Sequence, residues 1–299
     1  MSHNIPLKNR NDGFFYYDWI MRYLITGANG QLGRELHELL EAQNLDFSAY
    51  DSKMLDITNR QAVFEAVQAQ APGVIFDAAA YTKVDAAEDE GKARNWAVNV
   101  DGTKNLAQAA AAFGATLVYV STDYVFDGKK ETPYLETDSV NPKNEYGKAK
   151  LAGEKAVLAS HAKAYVVRTS WVYGEYGHNF VYTMQKLAET HPKLTVVNDQ
   201  IGRPTWTKSL AEFMQHLVDS GQEPGIYNFS NDGTASWYQF AQEILKGSQA
   251  EIEPVTSEQF PQKAYRPRHS ILDLKKAKAT GFKIPTWQEA LKMSGMIDK

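Results

Sequence analysis

Tyr146 and Lys150 stand four residues apart in Asn144-Glu145-Tyr146-Gly147-Lys148-Ala149-Lys150, and Leu151 to Ala156 continues a helical pattern from them. On a helix that spacing stacks the phenol and the ammonium on one face. A free phenol, with a pKa of about 10, is a poor acid–base catalyst near neutrality. A cation held close stabilises the phenolate and can lower that value by roughly 1–3 units. The pair therefore has the chemistry of a proton donor to a ketone. Taken alone, the same pattern describes many solvated helix faces, so its weight depends on what lies upstream.

The elements that must position it start at Arg22-Tyr23-Leu24-Ile25-Thr26, a short apolar run that reads as a buried strand. Gly27-Ala28-Asn29-Gly30-Gln31-Leu32-Gly33 follows at once, and Leu32, Leu36, Leu39 and Leu40 mark an amphipathic helix. Strand, glycine turn and helix together make a phosphate-binding unit. Glycines allow the tight turn and close backbone approach, while the helix N-terminus presents free N–H groups to a pyrophosphate. A second strand, Phe47 to Tyr50, ends at Asp51, where a carboxylate can take the hydroxyls of an adenosine ribose. Lys53 could instead reach a 2′-phosphate, which leaves NADH and NADPH both open.

Further on, Thr58 is expected to cap a helix bearing Val63, Phe64 and Val67, with Leu55-Asp56 before it in a loop directed towards the adenine. Val74-Ile75-Phe76 is a third strand, and the small residues Ala78, Ala79 and Ala80 before Tyr81 let a flat cofactor lie against backbone. Arg94 to Phe113 predicts one long helix, with Asn99 tied to neighbouring backbone. Ala115 to Val120 is a fourth strand leading into Ser121-Thr122-Asp123, and Tyr165 to Thr169 a further one.

This alternation over 21–170 predicts an α/β dinucleotide-binding domain: a doubly wound parallel sheet of Rossmann type, with ligands beyond the carboxyl ends of its strands. Residues 171–299 are less regular and read mainly as a smaller C-terminal α/β substrate-binding lobe. Helices are expected there at 180–189, 207–219, 237–245 and 287–293, with short strands at 194–197, 226–229 and 251–255. Residues 1–20 carry an aromatic cluster at 14–19 but no apolar signal core, and are read as an extension outside the fold.

Composition narrows the function classes. A net charge of -4 with 23% charged residues gives no basic stripe for nucleic acid, and no apolar run is long enough to span a bilayer. Cysteine is absent, which removes thiol nucleophiles, disulfides and thiolate zinc sites and fits a reducing cytoplasm. The seven histidines are scattered and no serine lies in a G-x-S-x-G elbow, so neither a histidine metal site nor a serine hydrolase is expected.

In chain order, Thr26-Gly27-x-x-Gly30-x-x-Gly33, Ser121-Thr122-Asp123 and Tyr146-x-x-x-Lys150 resemble the extended short-chain dehydrogenase/reductase family. The strings STDYVFDG at 121–128, RTSWVYG at 168–174, VNDQIGRPT at 197–205 and SWYQFA at 236–241 are similar, within it, to reductases of dTDP-4-dehydro-L-rhamnose, and the likeness spans 21–293. The resemblance implies hydride transfer from NADPH or NADH to C4 of that sugar, the last step of dTDP-rhamnose biosynthesis. It implies Tyr146 as proton donor, Lys150 as holder of the nicotinamide ribose that also lowers the tyrosine pKa, and Thr122 as hydrogen-bond partner of the C4 oxygen.

It further implies Gly27, Gly30, Gln31, Leu32 and Gly33 around the pyrophosphate, Asp51 on the ribose, and Ala79, Ala80 and Tyr81 beside the cofactor. Asp123, Trp171 and Asn179 would contact the sugar. Arg203 and Arg266 would take the diphosphate, unless either is a structural ion pair. Tyr124 replaces the glutamate that related dehydratases use as a base, which leaves reduction or epimerisation. Two alternatives stand beside reduction: a non-catalytic regulatory or binding subunit of the same fold, and a nucleotide-sugar epimerase. Glu35 matches a position that in some of these reductases holds bridging magnesium, but Lys208 stands where another acid is expected. A monomer is therefore favoured over a metal-bridged dimer.

Overall fold

The computed structural model describes residues 21–297, so the extension read at 1–20 lies outside the described residues. From Arg22 the chain alternates strand and helix: β1 (Arg22–Thr26), α1 (Gln31–Ala42), β2 (Asp46–Tyr50), α2 (Arg60–Gln70) and β3 (Val74–Asp77). Next come α3 (Lys92–Trp96), α4 (Thr103–Phe113), β4 (Thr116–Thr122), α5 (Glu145–Leu158) and β5 (Ala164–Thr169). The second half holds β6 (Val172–Tyr173), α6 (Phe180–Thr190), β7 (Lys193–Val197), β8 (Ile201–Gly202), β9 (Thr205–Trp206), α7 (Thr207–Asp219) and β10 (Gly225–Asn228). It ends with β11 (Ala235–Ser236), α8 (Trp237–Ile244), β12 (Glu251–Val255), α9 (Lys275–Ala279) and α10 (Trp287–Met293).

Six strands form one parallel sheet in the order β10-β5-β4-β3-β1-β2. The order reverses at β1 and β3, where a doubly wound sheet opens a crevice beyond its carboxyl edge. Parallel sheets bury both faces, so their strands are apolar throughout. The pleat sends Tyr23, Ile25, Phe76, Val118, Tyr165 and Val167 to one side, under α1 and α7. It sends Leu24, Ile75, Leu117, Tyr119 and Val166 to the other, under α2, α4 and α5.

The division at residue 170 is not a clean one, because α7 and β10 come from the second half and complete the sheet layer. The rest of that half has its own apolar core, with Tyr173, Val181, Met184, Trp206, Phe240 and Trp287 at its centre, and is braced by the parallel pair β7 and β12. Two local expectations are corrected. Asn59, not Thr58, caps α2, accepting from the Ala62 N–H at 3.2 Å, while the Thr58 hydroxyl donates to Asp56 at 2.8 Å. The two residue types cap nearly equally well, so sequence alone does not fix which one does so. The long helix expected at 94–113 starts at Lys92 and passes through a π-helical turn at Ala97–Gly102, a form that often marks functional sites; here it carries Asn99. Among the described residues, no helix is long and apolar enough to cross a membrane.

Candidate active site

The glycine turn joins β1 to α1. Gly27 takes φ +70°, and a Cβ there would fall 2.6 Å from the Ala78 carbonyl oxygen; one on Gly33 would fall 2.1 Å from the Gly27 oxygen. Only bare backbone fits, which brings the turn against the end of β3. Gly30 stands at the N-cap of α1, with no side chain capping the helix and no acidic residue in its first turn. Its N–H groups are thus left for an external anion, and the turn fits a dinucleotide pyrophosphate. Gly33 is packed inside the turn, whereas Gly27, Gly30, Gln31 and Leu32 line cavities.

Two cavities share Asn29, Gly30 and the strip Ala78 to Ala80. The smaller, about 330 Å³, is lined by Gly27, Asp51, Leu55, Asp56, Ala79, Ala80 and Tyr81 among others. Asp51 accepts from the backbone N–H groups of Lys53 and Met54, both at 2.9 Å, and from the Asn29 amide at 2.5 Å. Asp56 is held below the usual carboxylate range by the Thr58 hydroxyl and N–H. The strip is fixed from behind by Asn99, whose side chain accepts from the Tyr81 N–H at 3.2 Å and donates to the Tyr81 carbonyl at 3.0 Å. Asn99 also donates to Asn95, which donates to the Glu145 carbonyl at 3.0 Å, so the strip is linked to the start of α5.

The larger cavity, about 540 Å³, gathers Thr122, Asp123, Tyr146, Lys150 and Trp171 with the turn and the strip. Thr122 ends β4, accepts from the Tyr124 N–H at 3.2 Å and donates to Asp123 at 3.1 Å. Asp123 is buried, with one carboxylate oxygen lacking any partner, and burial pushes it up to about 7. Helix α5 is capped by Asn144, which accepts from the Gly147 N–H at 2.7 Å. A Cβ on Gly147 would lie 2.3 Å from the Tyr124 oxygen, so the bare residue lets the first turn of α5 press against the Thr122 segment. Tyr146 is thereby set beside Thr122 and edge-on to Tyr124, with ring centroids 6.1 Å apart.

The expected coupling of Tyr146 to Lys150 is corrected by this geometry. Both side chains line the cavity, but the Lys150 ammonium lies over the Tyr119 ring, 4.1 Å from its centroid, and feels Asp77 and Glu154. Tyr146 is instead raised well above 10 by burial, then by Asp123 and Tyr124, with only the Thr122 hydroxyl favouring the phenolate. The groups that face the ammonium are thus two buried carboxylates, whereas those that face the phenol are Asp123, Tyr124 and Thr122. Burial pushes Lys150 down to about 8, and Asp77 and Glu154 oppose the shift. Glu154 is already in a bidentate pair with Arg168 at 2.7 and 2.9 Å, and Asp77 accepts from Thr26 at 2.8 Å and Thr103 at 3.3 Å. Asp77 was not singled out from sequence; a carboxylate directly ending the apolar run Val74-Ile75-Phe76 was the available signal.

Trp171 lines the larger cavity with its backbone in the left-handed region, φ +49°, and stacks on Trp237 with centroids 3.6 Å apart. Asn179 does not line that cavity. Its side chain caps α6 by accepting from the Tyr182 N–H, and donates to the Gly174 carbonyl at 2.8 Å and to Gln31 at 3.2 Å. The expected sugar contact is replaced by a structural role, because every polar atom of the amide is used. Arg203 pairs with Asp232 at 3.2 Å and Arg266 with Asp85 at 2.9 Å, so both arginines are ion-paired and neither lines the larger cavity. Arg266 still sits 5.7 Å from the Tyr124 ring centroid and keeps a buried nitrogen without a partner.

Glu35 is buried between α1 and α7, accepts from Thr207 at 3.0 Å, and is pushed up to about 7 by burial and by Glu175. Among the described residues, no group of three or more His, Asp or Glu could hold a metal ion.

Residues 21–297 match the family model described as RmlD substrate binding domain. A dTDP-4-dehydrorhamnose reductase of Aggregatibacter actinomycetemcomitans is 42% identical over 286 residues, covering 91% of this chain and 97% of its own. The crystal structure of a dTDP-4-dehydrorhamnose reductase from Bacillus anthracis in complex with NADP superposes with a TM-score of 0.88 at 42% identity, covering 92% of this chain and 98% of that one. A Clostridium acetobutylicum structure of the same description gives 0.88 at 44% identity, again covering 92% and 98%. A match over the whole described chain, on a sheet whose glycine turn, Thr122, Tyr146 and Lys150 border shared cavities, means that this chain belongs to the RmlD substrate-binding-domain family.

Proposed function

We propose that this chain reduces dTDP-4-dehydro-L-rhamnose to dTDP-L-rhamnose with NADPH or NADH, in the cytoplasm and as a monomer. The observation that carries the reading is the convergence of Thr122, Tyr146 and Lys150 on one cavity continuous with the glycine turn. Gly30, Gln31 and Leu32 hold the pyrophosphate, Asp51 the adenosine ribose, and Ala79 to Tyr81 give the flat backbone beside the nicotinamide end. When bound, the reduced nicotinamide supplies hydride to C4 of the sugar.

Thr122 donates to the C4 oxygen and orients it. Tyr146, which burial holds protonated, gives its proton to that oxygen as it becomes an alkoxide and is reprotonated from solvent, while the Lys150 ammonium on the same cavity holds the nicotinamide ribose and supplies the site's positive charge. Such a positioned donor contributes typically ~10²–10⁴-fold in rate. Asp123 and Trp171 bound the sugar, and Arg266, which sits 5.7 Å from the ring of the cavity-lining Tyr124, is the arginine better placed for the diphosphate.

The test is to mix protein, NADPH and the 4-keto sugar and follow reduced-nicotinamide absorbance for wild type, Tyr146→Phe and Thr122→Val. Stoichiometric consumption with a loss of about 10²-fold or more in Tyr146→Phe is expected. Equal rates for wild type and Tyr146→Phe would remove Tyr146 from its role, and equal rates for wild type and Thr122→Val would do the same for Thr122. Magnesium-dependent dimerisation on size exclusion would remove the monomer.

A further inference from the structure

The larger cavity has a polar side and an apolar side. Thr122, Asp123 and Tyr146 belong to the first; the stacked pair Trp171 and Trp237 belongs to the second. The stack is built from distant segments. Trp171 follows β5, whereas Trp237 opens α8, where Ser236 and Gln239 form a reciprocal capping box. The antiparallel pair of β8 and β11 sets Ser236 against Ile201 and Ala235 against Gly202. A Cβ on Gly202 would come within 2.6 Å of the Trp171 indole, so the bare backbone there and the Trp237 ring together hold an indole whose own backbone is in a costly left-handed conformation. Phe180, 4.6 Å from Trp237 between centroids, backs the second ring. Strain retained on a cavity wall by this many contacts is a sign that the indole's orientation is used.

We infer that Trp237 is a specificity-determining residue: with Trp171 it forms the wall that receives the C6 methyl of a 6-deoxy-4-keto sugar and disfavours a ring carrying a C6 hydroxyl. This rests on the proposed reaction. The C6 carbon is two bonds from C4, so a ring whose C4 oxygen meets Thr122 and Tyr146 must place C6 against the lining of the same cavity. The part of the stacked pair that borders the cavity offers a methyl group close apolar contact and offers a hydroxyl no more than an indole N–H, so the hydroxyl would give up most of its hydration for little return.

The experiment compares wild type, Trp237→Phe, Trp237→Ala and Trp237→Gln with the dTDP-4-keto-6-deoxy sugar and its 6-hydroxy counterpart, reading kcat and KM for each. An apolar site rejects an added hydroxyl by at most about 10²-fold, which bounds the wild-type preference. Trp237→Ala is expected to erase most of that preference, through a raised KM for the deoxy sugar. Trp237→Phe should retain it, and Trp237→Gln, which offers a hydrogen bond, should shift it towards the hydroxy sugar. A preference unchanged in both Trp237→Ala and Trp237→Gln, with NADPH titration as in wild type, overturns the assignment and leaves the proposed reaction standing. Turnover of neither sugar by wild type overturns both.

Discussion

Replacing Asp77 by asparagine tests how the site keeps a lysine charged in a buried place. Lys150 is 2% exposed, and burial has already brought its ammonium down to about 8. Two anions oppose that shift, but Glu154 is claimed by Arg168, which leaves Asp77 as the carboxylate without a cation of its own. Loss of an opposite charge at close range moves a pKa by roughly 1–3 units, and buried lysines reach about 5–6. Asp77→Asn should therefore bring Lys150 to about 5–7. The ammonium is the active form, so activity present at low pH is lost as pH rises through that pKa. At pH 7.5 the charged fraction falls from roughly three quarters to about a quarter or less, a loss of about threefold or more.

The assay is kcat/KM for NADPH between pH 5.5 and 9.5, since this quantity reports groups of the free enzyme. Wild type should show an alkaline limb near 8 and the variant the same limb at least one unit lower. An identical limb in both proteins refutes the assignment of Asp77, and a wild-type profile flat to pH 9.5 refutes the assignment of Lys150.

Glu35→Gln tests a pKa shift of opposite sign, raised where that of Lys150 is lowered. The folded carboxyl titrates near 7 against a usual 4.5, so the folded state keeps a proton that the unfolded chain releases, and stability falls as pH rises across that window. At about 1.4 kcal/mol per pKa unit the variant should exceed wild type by up to about 3 kcal/mol at pH 8 and by almost nothing at pH 4 in urea unfolding; a pH-independent difference counts against it. Arg168→Met strands Glu154 in the interior and should cost about 3–5 kcal/mol, whereas adding Glu154→Leu should recover most of it. Denaturation midpoints showing the double variant no better than the single one would contradict this. Gly33→Ala drives a methyl into the Gly27 carbonyl and should cost about 1–3 kcal/mol and weaken NADPH binding, read by thermal melts and fluorescence titration; unchanged affinity would separate the turn from the cofactor.

What was readable in the sequence was whatever is encoded locally. The turn from Thr26 to Gly33, the apolar strands and the helix that carries Tyr146 and Lys150 follow from short-range spacing, and the elements bear them out. The direction of the Lys150 side chain does not, because Asp77 arrives from a strand far away in sequence. Arg203 finds Asp232 and Arg266 finds Asp85 only after folding, so their charges looked available for a phosphate. Asn179 is different: an asparagine directly before a helical run is a capping signal, and it was legible. The left-handed backbone of Trp171 was not, since nothing in a tryptophan announces it.

Strand β10 leaves the second half of the chain to lie along β5, with Asn228 beside Arg168 and the Phe229 N–H donating to the Arg168 carbonyl at 2.8 Å. The two halves are thus sewn along a hydrogen-bonded seam at the very strand that carries the partner of Glu154. A fragment cut after Thr169 would bare the six buried residues of β5 as an open edge, which invites strand addition by another molecule. Sheet and lobe are consequently inherited as one piece, and neither can be traded for a foreign module without unpicking the border of the pocket.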